Sequence, residues 1–294
     1  MRREKMNYYL AVRVVLTAAI ALLIAGGCQK TPSTAVELVE AGGVKMVSIP
    51  AGSFVMGHNY QQRSDLADNV NVYLSDEQPA HPVSLTAFQI GQTEITQGLY
   101  REITGENPST FSGDDNLPVT NIGATAALAF CNMLSEKAGL EPCYDEKTGA
   151  CDFSKNGFRL PTEAEWEYAC RTGTSTLFVS GDSEADLARV GWYSGNSGGK
   201  THPIAQKEPN AWGLYDMHGN VYEFCYDGYD NALNHSSYPA EAVQDPINFE
   251  SFNYRMMRGG GWFSDPASCR SFTRGKFWTG GGNYYIGFRV ARRF

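Results

Sequence analysis

The sequence predicts an α+β domain with little regular secondary structure. Three observations carry this. Alternating apolar segments are short, and helical periodicity is confined to three stretches before residue 171. Beyond that point glycine and aromatic residues take over, from a total of 31 Gly, 16 Tyr, 15 Phe and 5 Trp in 294 residues. Hydrophobic residues make up 42%, which suits a packed core and is too rich for a disordered chain. No compositional break divides residues 36–294, so one domain is expected over residues 44–294. The formal net charge of −8 leaves no cation excess to displace phosphate counterions, and nucleic acid is excluded as a partner.

The N-terminus reads as an export signal. Arg2, Arg3, Lys5 and Arg13 precede an uncharged apolar run from Val14 to Gly27 that is too short to span a membrane comfortably. The run ends Ile24-Ala25-Gly26-Gly27-Cys28, which resembles the lipobox of bacterial lipoproteins, with Ala25 where a larger aliphatic is usual. Residues 1–27 are therefore expected to be a lipoprotein signal peptide, Cys28 the acylated residue and residues 28–43 a polar tether. An ordinary cleaved signal with an incidental cysteine is the alternative. The expected product is an exported lipoprotein at the cell surface or outer membrane. It would be monomeric, and would touch the membrane only through its anchor.

Residues 44–50 alternate and turn at Ala51-Gly52, so they read as a strand that Phe54 to Gly57 continues. Residues 58–80 read as loop, and Val83 to Ile90 as a second strand. A helix is expected from Thr96 to Ile103, ended by Asn107-Pro108-Ser109. The best helix runs from Asn121 to Lys137, with Ala126, Ala127, Phe130, Cys131 and Leu134 on one stripe. Thr162 to Ala169 forms a third, opened by a capping box of Thr162 and Glu165. After residue 171 mostly loop and short strand are expected. A stretch that long needs disulfides, a metal ion or aromatic packing to hold it.

Besides Cys28 the chain has Cys131, Cys143, Cys151, Cys170, Cys225 and Cys269. An even number in an exported chain permits disulfides. Cys143 and Cys151 bracket a hairpin with its turn near Lys147-Thr148-Gly149, which makes them a plausible local bridge. The histidines form no HxxxH or HxH pair, and no GxSxG elbow is present. Glu163 and Glu167 share a helix face that Glu165 does not. Capping and salt bridging fit this run better than acid–base catalysis, with Arg159 and Arg289 as structural partners for such carboxylates.

Seven segments in order resemble the formylglycine-generating-enzyme, or sulfatase-modifying-factor, family. They are residues 49–57, Glu77 to Val83, Glu94-Ile95-Thr96, Gly157 to Ala169, Gly213 to Phe224, Arg258-Gly259-Gly260-Gly261-Trp262 and Ile286-Gly287-Phe288-Arg289. The resemblance covers residues 44–294 and implies the family's C-type lectin-like fold. The family's oxidases use two cysteines five positions apart as a soft Cu(I) site. Here Ser264 stands at the first position and Cys269 at the second. The fold is therefore carried over without the chemistry, and no copper is expected. Cys225 is the guessed disulfide partner of Cys269. The family's calcium segment maps onto Asp216, Gly219, Val221 and Glu223, with the tight turn and an arginine partner for Glu223 as the competing reading.

A lectin-like domain of this kind also resembles the variable proteins of diversity-generating retroelements, among them the treponemal variable lipoprotein. Within residues 250–294, the frame residues Gly259, Gly260, Trp262, Cys269, Arg270, Arg274, Gly287, Phe288 and Arg289 are expected to be buried. Phe263, Ser264, Asp265, Ser268, Phe272, Phe277, Trp278, Asn283, Tyr284 and Tyr285 are expected to face solvent and bind a ligand. Tyr and Trp give contact area at low entropy cost, and Ser and Asn adapt. The expected function is non-catalytic binding of a protein or other surface ligand. The alternatives are a metal-dependent oxidase and a structural envelope lipoprotein.

Overall fold

The computed structural model describes residues 37–59, 77–229, 243–249 and 253–294. The expected signal peptide, Cys28 and residues 28–36 of the tether lie outside the described residues. In chain order the elements are β1 (Leu38–Ala41), β2 (Val44–Ile49), β3 (Gly52–Met56), β4 (His81–Leu85), β5 (Phe88–Gly91), α1 (Gln97–Thr104), α2 (Ala124–Lys137), α3 (Glu163–Arg171) and α4 (Glu184–Val190). They continue with β6 (Gly191–Trp192), β7 (His218–Gly219), β8 (Tyr222–Gly228), β9 (Val243–Gln244), β10 (Tyr254–Arg258), β11 (Gly275–Trp278), β12 (Ile286–Gly287) and β13 (Ala291–Arg292). Among the described residues, no helix is long and apolar enough to cross a membrane.

Two four-stranded sheets, ordered β1-β2-β5-β13 and β11-β10-β8-β12, carry the framework. The C-terminal strand β13 pairs antiparallel with β5, Ala291 opposite Ile90, so the chain's end closes onto its beginning. The smaller sheets are β3-β4-β9 and β6-β7. One core cluster lies around α1 and α2, where Phe130, Leu134, Phe158 and Phe288 are all fully buried. A second surrounds Trp166 of α3, and a third gathers Phe178, Leu187, Cys269 and Phe272.

Several sequence expectations change. The strand expected over residues 44–57 is two strands in different sheets, because the chain turns at Pro50-Ala51 and β3 pairs with β4. The strand expected from Val83 to Ile90 is likewise divided into β4 and β5. Residues 38–41, expected to be tether, form β1 against β2, so the domain begins before residue 44. Helix α2 starts at Ala124, not Asn121. Asn121 sits at φ 60, a left-handed conformation that no right-handed helix accommodates. Helix α4 occupies a stretch read as loop, opened by a capping box of Ser183 and Asp186. Helix α1 lies where a helix is expected, with Thr96 as its N-cap, and the Thr162–Glu165 capping box of α3 is as expected.

The six described cysteines are all free thiols, so neither expected disulfide is present in this structure. Cys143 and Cys151 interact as neighbouring thiols, which holds the Cys143 thiol below its ordinary range. Cys225 and Cys269 cannot be partners in this arrangement, since they are buried in separate core clusters. Cys269 instead packs on Gly260. A Cβ there would lie 2.6 Å from the Cys269 sulfur, and φ +73 is itself a glycine conformation.

The loop-rich second half is held by buried ion pairs, which extend the salt bridging expected of the Glu163–Glu167 run and of Arg159 and Arg289. Glu167 receives Arg258 and, at 2.9 Å, Arg171. Glu163 takes a forked pair from Arg274, with Nε at 2.6 Å and Nη2 at 2.5 Å. Glu165, on the other face of α3, takes both Arg159 nitrogens at 2.6 and 2.7 Å. Arg270 reaches Glu77 at 2.8 Å. Such forks are planar and directional, so they fix chain position as well as charge. Removing one partner leaves an uncompensated buried charge. Glu167→Ala is therefore expected to lower unfolding stability by about 3–5 kcal/mol. Breaking the exposed Lys137–Glu102 pair by Glu102→Ala should leave the denaturant midpoint unchanged. Equal effects of the two substitutions would contradict this role for Glu167.

Candidate functional site

The chain from Arg258 to Tyr285 builds an aromatic surface on a rigid base. After the glycines at 259–261, Trp262 N–H donates to the Asn220 carbonyl at 2.7 Å, tying the segment to the loop before β8. The ring of Trp262 meets Phe111 at 5.5 Å, Phe263 at 5.4 Å and Tyr284 at 6.0 Å. Phe263 lies 4.6 Å from Tyr285, which in turn contacts Tyr284, Tyr222 and Phe277. The rings are tilted or edge-on, the geometry that favours aromatic pairs. Outermost are Phe263 at 42%, Tyr284 at 47% and Trp278 at 55% exposure. Trp278 lies against Gly280, where a Cβ would come within 2.7 Å of the indole. A side chain at 280 would displace that indole.

The expected ligand-facing residues divide. Phe263, Asp265, Trp278 and Tyr284 are exposed, and Ser268, Phe277, Asn283 and Tyr285 are half-buried. Ser264 and Phe272 are corrected to the interior. Ser264 Oγ accepts the Gly261 N–H at 2.9 Å, while its own carbonyl accepts from Ser194, so it closes the turn and does not face solvent. Phe272 is fully buried, sandwiched by the Arg171 and Arg270 guanidiniums at 5.2 and 5.1 Å and by His58 at 4.5 Å. Asp265 caps the short turn Pro266–Cys269 through the Ser268 N–H. Of the frame residues, Trp262 and Arg274 are half-buried and the others are buried. Phe111 and Tyr222 support the platform and were missed. Nothing in their local sequence connects them to residues 40 or more positions away.

The expected calcium residues lie in a buried acidic nest. Asp216 sits at φ 57, its Oδ2 accepting the Ala205 N–H at 2.8 Å and its Oδ1 buried without a partner. Gly219 and Val221 are fully buried beside it. Glu223 is held by Arg289 at 2.6 and 2.7 Å and by the Trp166 indole N–H at 2.9 Å, so the arginine reading applies to it. Glu94, which sequence reasoning quoted only as part of a motif, joins the nest. It accepts from Asn220 at 2.9 Å and from the Val221 N–H. Burial, reinforced by Asp216 and Glu223, pushes its carboxyl well up. Burial also pushes Asp216 up to about 6. Three carboxylates thus face one guanidinium, an excess of negative charge that a divalent cation would balance. The orphaned Asp216 Oδ1 fits such an ion. Glu223 retains one of its roughly four acceptor sites after three hydrogen bonds. Among the described residues no group of three or more His, Cys, Asp or Glu is arranged as a metal cluster. Backbone carbonyls would have to complete the shell.

His218 is structural. Its Nε2 accepts the Val179 N–H at 3.1 Å, so Nδ1–H donates to the Cys269 carbonyl at 2.8 Å. Burial holds it neutral, lowering it to about 4. The Cys269 thiol is pushed up by the same cause, away from the reactive thiolate.

The chain's likeness to known proteins agrees with this geometry. The Sulfatase-modifying factor enzyme 1-like domain matches residues 33–294. The "Chaperone protein LppX" of Paenibacillus barcinonensis is 32% identical over 246 residues, covering 71% of this chain and 81% of that protein. The serine/threonine-protein kinase pkn1 of Chlamydia pneumoniae is 38% identical over 84% of this chain, but the chain spans only 38% of its length. Among solved structures, Treponema denticola variable protein 1 superimposes with a TM-score of 0.75 at 34% identity, covering 88% of this chain and 99% of that one. The expected C-type lectin-like fold, and the likeness to a treponemal variable protein, are both borne out.

Proposed function

The chain belongs to the Sulfatase-modifying factor enzyme 1-like domain family, and from that premise we propose that it is a non-catalytic, lipid-anchored member that binds a ligand at the cell surface. The observation that carries this reading is the contiguous aromatic cluster of Trp262, Phe263, Tyr284 and Tyr285, with Phe263 and Tyr284 exposed at its outer edge and Trp278 exposed nearby in sequence on β11. Exposed aromatic groups of this kind mark interaction sites, and rigid Tyr and Trp anchors dominate binding energy. The frame beneath them is buried, so outward side chains can differ without cost to the core. The likeness to a treponemal variable protein supports reading residues 250–294 as a variable segment, of which 250–252 lie outside the described residues.

The non-catalytic reading rests on Ser264. A hydroxyl is a poor ligand for Cu(I), and this one already accepts the Gly261 N–H. The partner is taken to be a protein or other surface ligand, and the chain a monomer. An array of purified cell-surface proteins, probed with wild type and with the fourfold variant Phe263→Ser, Trp278→Ser, Tyr284→Ser and Tyr285→Ser, tests the platform. The signals of wild type should vanish in the variant while its melting temperature stays near wild type. Equal signals from both proteins would refute the assignment.

Export and anchoring follow from the sequence around Cys28. Palmitate supplied to expressing cells should label the chain, and Cys28→Ala should abolish the label. An unlabelled wild-type chain in the cytoplasm would count against it.

Calcium is proposed as a structural ion held by Asp216, with the Gly219 and Val221 carbonyls and the remaining acceptor site of Glu223. It would supply charge balance to the nest and anchor the segment before β8. Added calcium should raise the melting temperature of chelator-treated protein, and Asp216→Ala should remove the response. A melting temperature indifferent to calcium and to EDTA would exclude the ion.

A further inference from the structure

A cavity of about 550 Å³ opens on the outer face of α2, apart from the aromatic platform. That volume lies within the range of small-molecule sites. One wall is the outward stripe Thr125, Ala129 and Met133, at i, i+4 and i+8 on the helix, with Leu128 beneath. The facing wall is the hairpin that turns at Lys147-Thr148-Gly149, and Arg255 of β10 lines the cavity between them.

Arg255 is anomalous. It is 4% exposed, as deeply buried as the arginines of the ion-pair lattice. The buried Arg159, Arg171, Arg258, Arg270 and Arg289 each meet a carboxylate. Arg255 meets none within salt-bridge distance among the described residues. Its Nη1 donates to the Tyr226 carbonyl, and the guanidinium lies 5.1 Å from the Tyr226 and Phe249 rings. Its Nε is buried without a partner. Asp227 acts on it only from beyond ion-pair distance, and burial, the larger effect, depresses its proton affinity, so the buried guanidinium is under-compensated. A second feature adds positive potential to the same cavity. Ala124 and Thr125, the first turn of the 14-residue α2, line it, and the N-cap Gly123 offers no side chain to the free amides.

We propose that this cavity binds an organic anion. Its carboxylate or phosphate monoester lies against Arg255 and the first turn of α2, and its apolar body lies along Leu128, Ala129 and Met133. Three acids share the lining. Asp145 is spent on the Lys147 and Thr148 amides of the turn, while Glu136 and Glu146 are exposed at the solvent side. They oppose free inorganic polyanions and select a molecule that carries its charge at one buried end.

The probe is 1-anilinonaphthalene-8-sulfonate, an aromatic body with one anionic group, titrated by fluorescence against the full chain. One saturable site is expected, and it should persist in the fourfold platform variant. Affinity should fall at least tenfold in Arg255→Gln. Because that change lies in the interior, Ala129→Trp is the deciding variant: position 129 is exposed, so the indole fills the cavity without entering the core. It should match wild type in melting temperature and lose the probe. Displacement by octanoate alone assigns a carboxylate, and displacement by phenyl phosphate alone assigns a phosphate ester. Displacement by neither, unchanged affinity in Ala129→Trp, or equal binding of the neutral N-phenyl-1-naphthylamine would overturn the proposal.

Discussion

Glu163 and Glu167 look out from one face of α3 and receive Arg258 and Arg274, side chains that arrive from the far end of the chain. Arg258 and Glu167 are 91 residues apart in sequence, and both are almost wholly buried. Once desolvated, neither charge tolerates the loss of its partner, so the pair fixes where the irregular C-terminal segment must lie. Arg171 extends the lattice along α3, and its guanidinium covers one face of Phe272. Arg270 covers another and reaches Glu77. Arg289, two residues before β13, clamps Glu223 of β8 and also donates to the Tyr215 carbonyl. The short strands could not alone impose this arrangement. The paired charges do so because their geometry is directional.

The consequence for function is a division of labour within single short segments. From residue 258 to 289, side chains that enter the lattice or the core alternate with side chains that face solvent. Arg258, Cys269, Arg270, Phe272 and Phe288 belong to the first group; Phe263, Asp265, Trp278 and Tyr284 belong to the second. Asp265 links the two, because it caps the turn that ends at Cys269. Substitution in the second would be felt by the proposed ligand, and substitution in the first by the fold. This separation is what a recognition surface needs if its outward residues are to change.

The legible parts of the sequence were those with local physical causes. Thr162 and Glu165 form a capping box because both partners lie within four residues. The turn at 147–149 is closed by Asp145, three residues before Thr148. Arg159 and Arg289 were readable as carboxylate partners because a cation inside an apolar motif must find one. Trp278, Tyr284 and Tyr285 flank the glycines at 280–282, and of the three expected to face solvent Trp278 and Tyr284 are exposed while Tyr285 is half-buried. The illegible parts depend on distant chain. Ser264 looks polar and outward, yet its burial is decided by a turn that folds it back on Gly261. Phe272 has its position set by Arg171, far upstream. Helix α4 is too short, at seven residues, to show a stripe, although its Ser183–Asp186 box was there to be read. Glu94 meets Asp216 and Glu223 only once β5 and β8 are assembled.

The most direct test of this account is a pair of combinatorial libraries scored for protease resistance of the expressed chain. One randomises Phe263, Asp265, Trp278 and Tyr284; the other randomises Arg258, Phe272, Arg274 and Arg289. The account predicts that most members of the first library resist protease as wild type does, whereas members of the second are cleaved almost without exception. Comparable losses in the two libraries would contradict the claim that a buried ion-pair frame carries the fold independently of the aromatic surface.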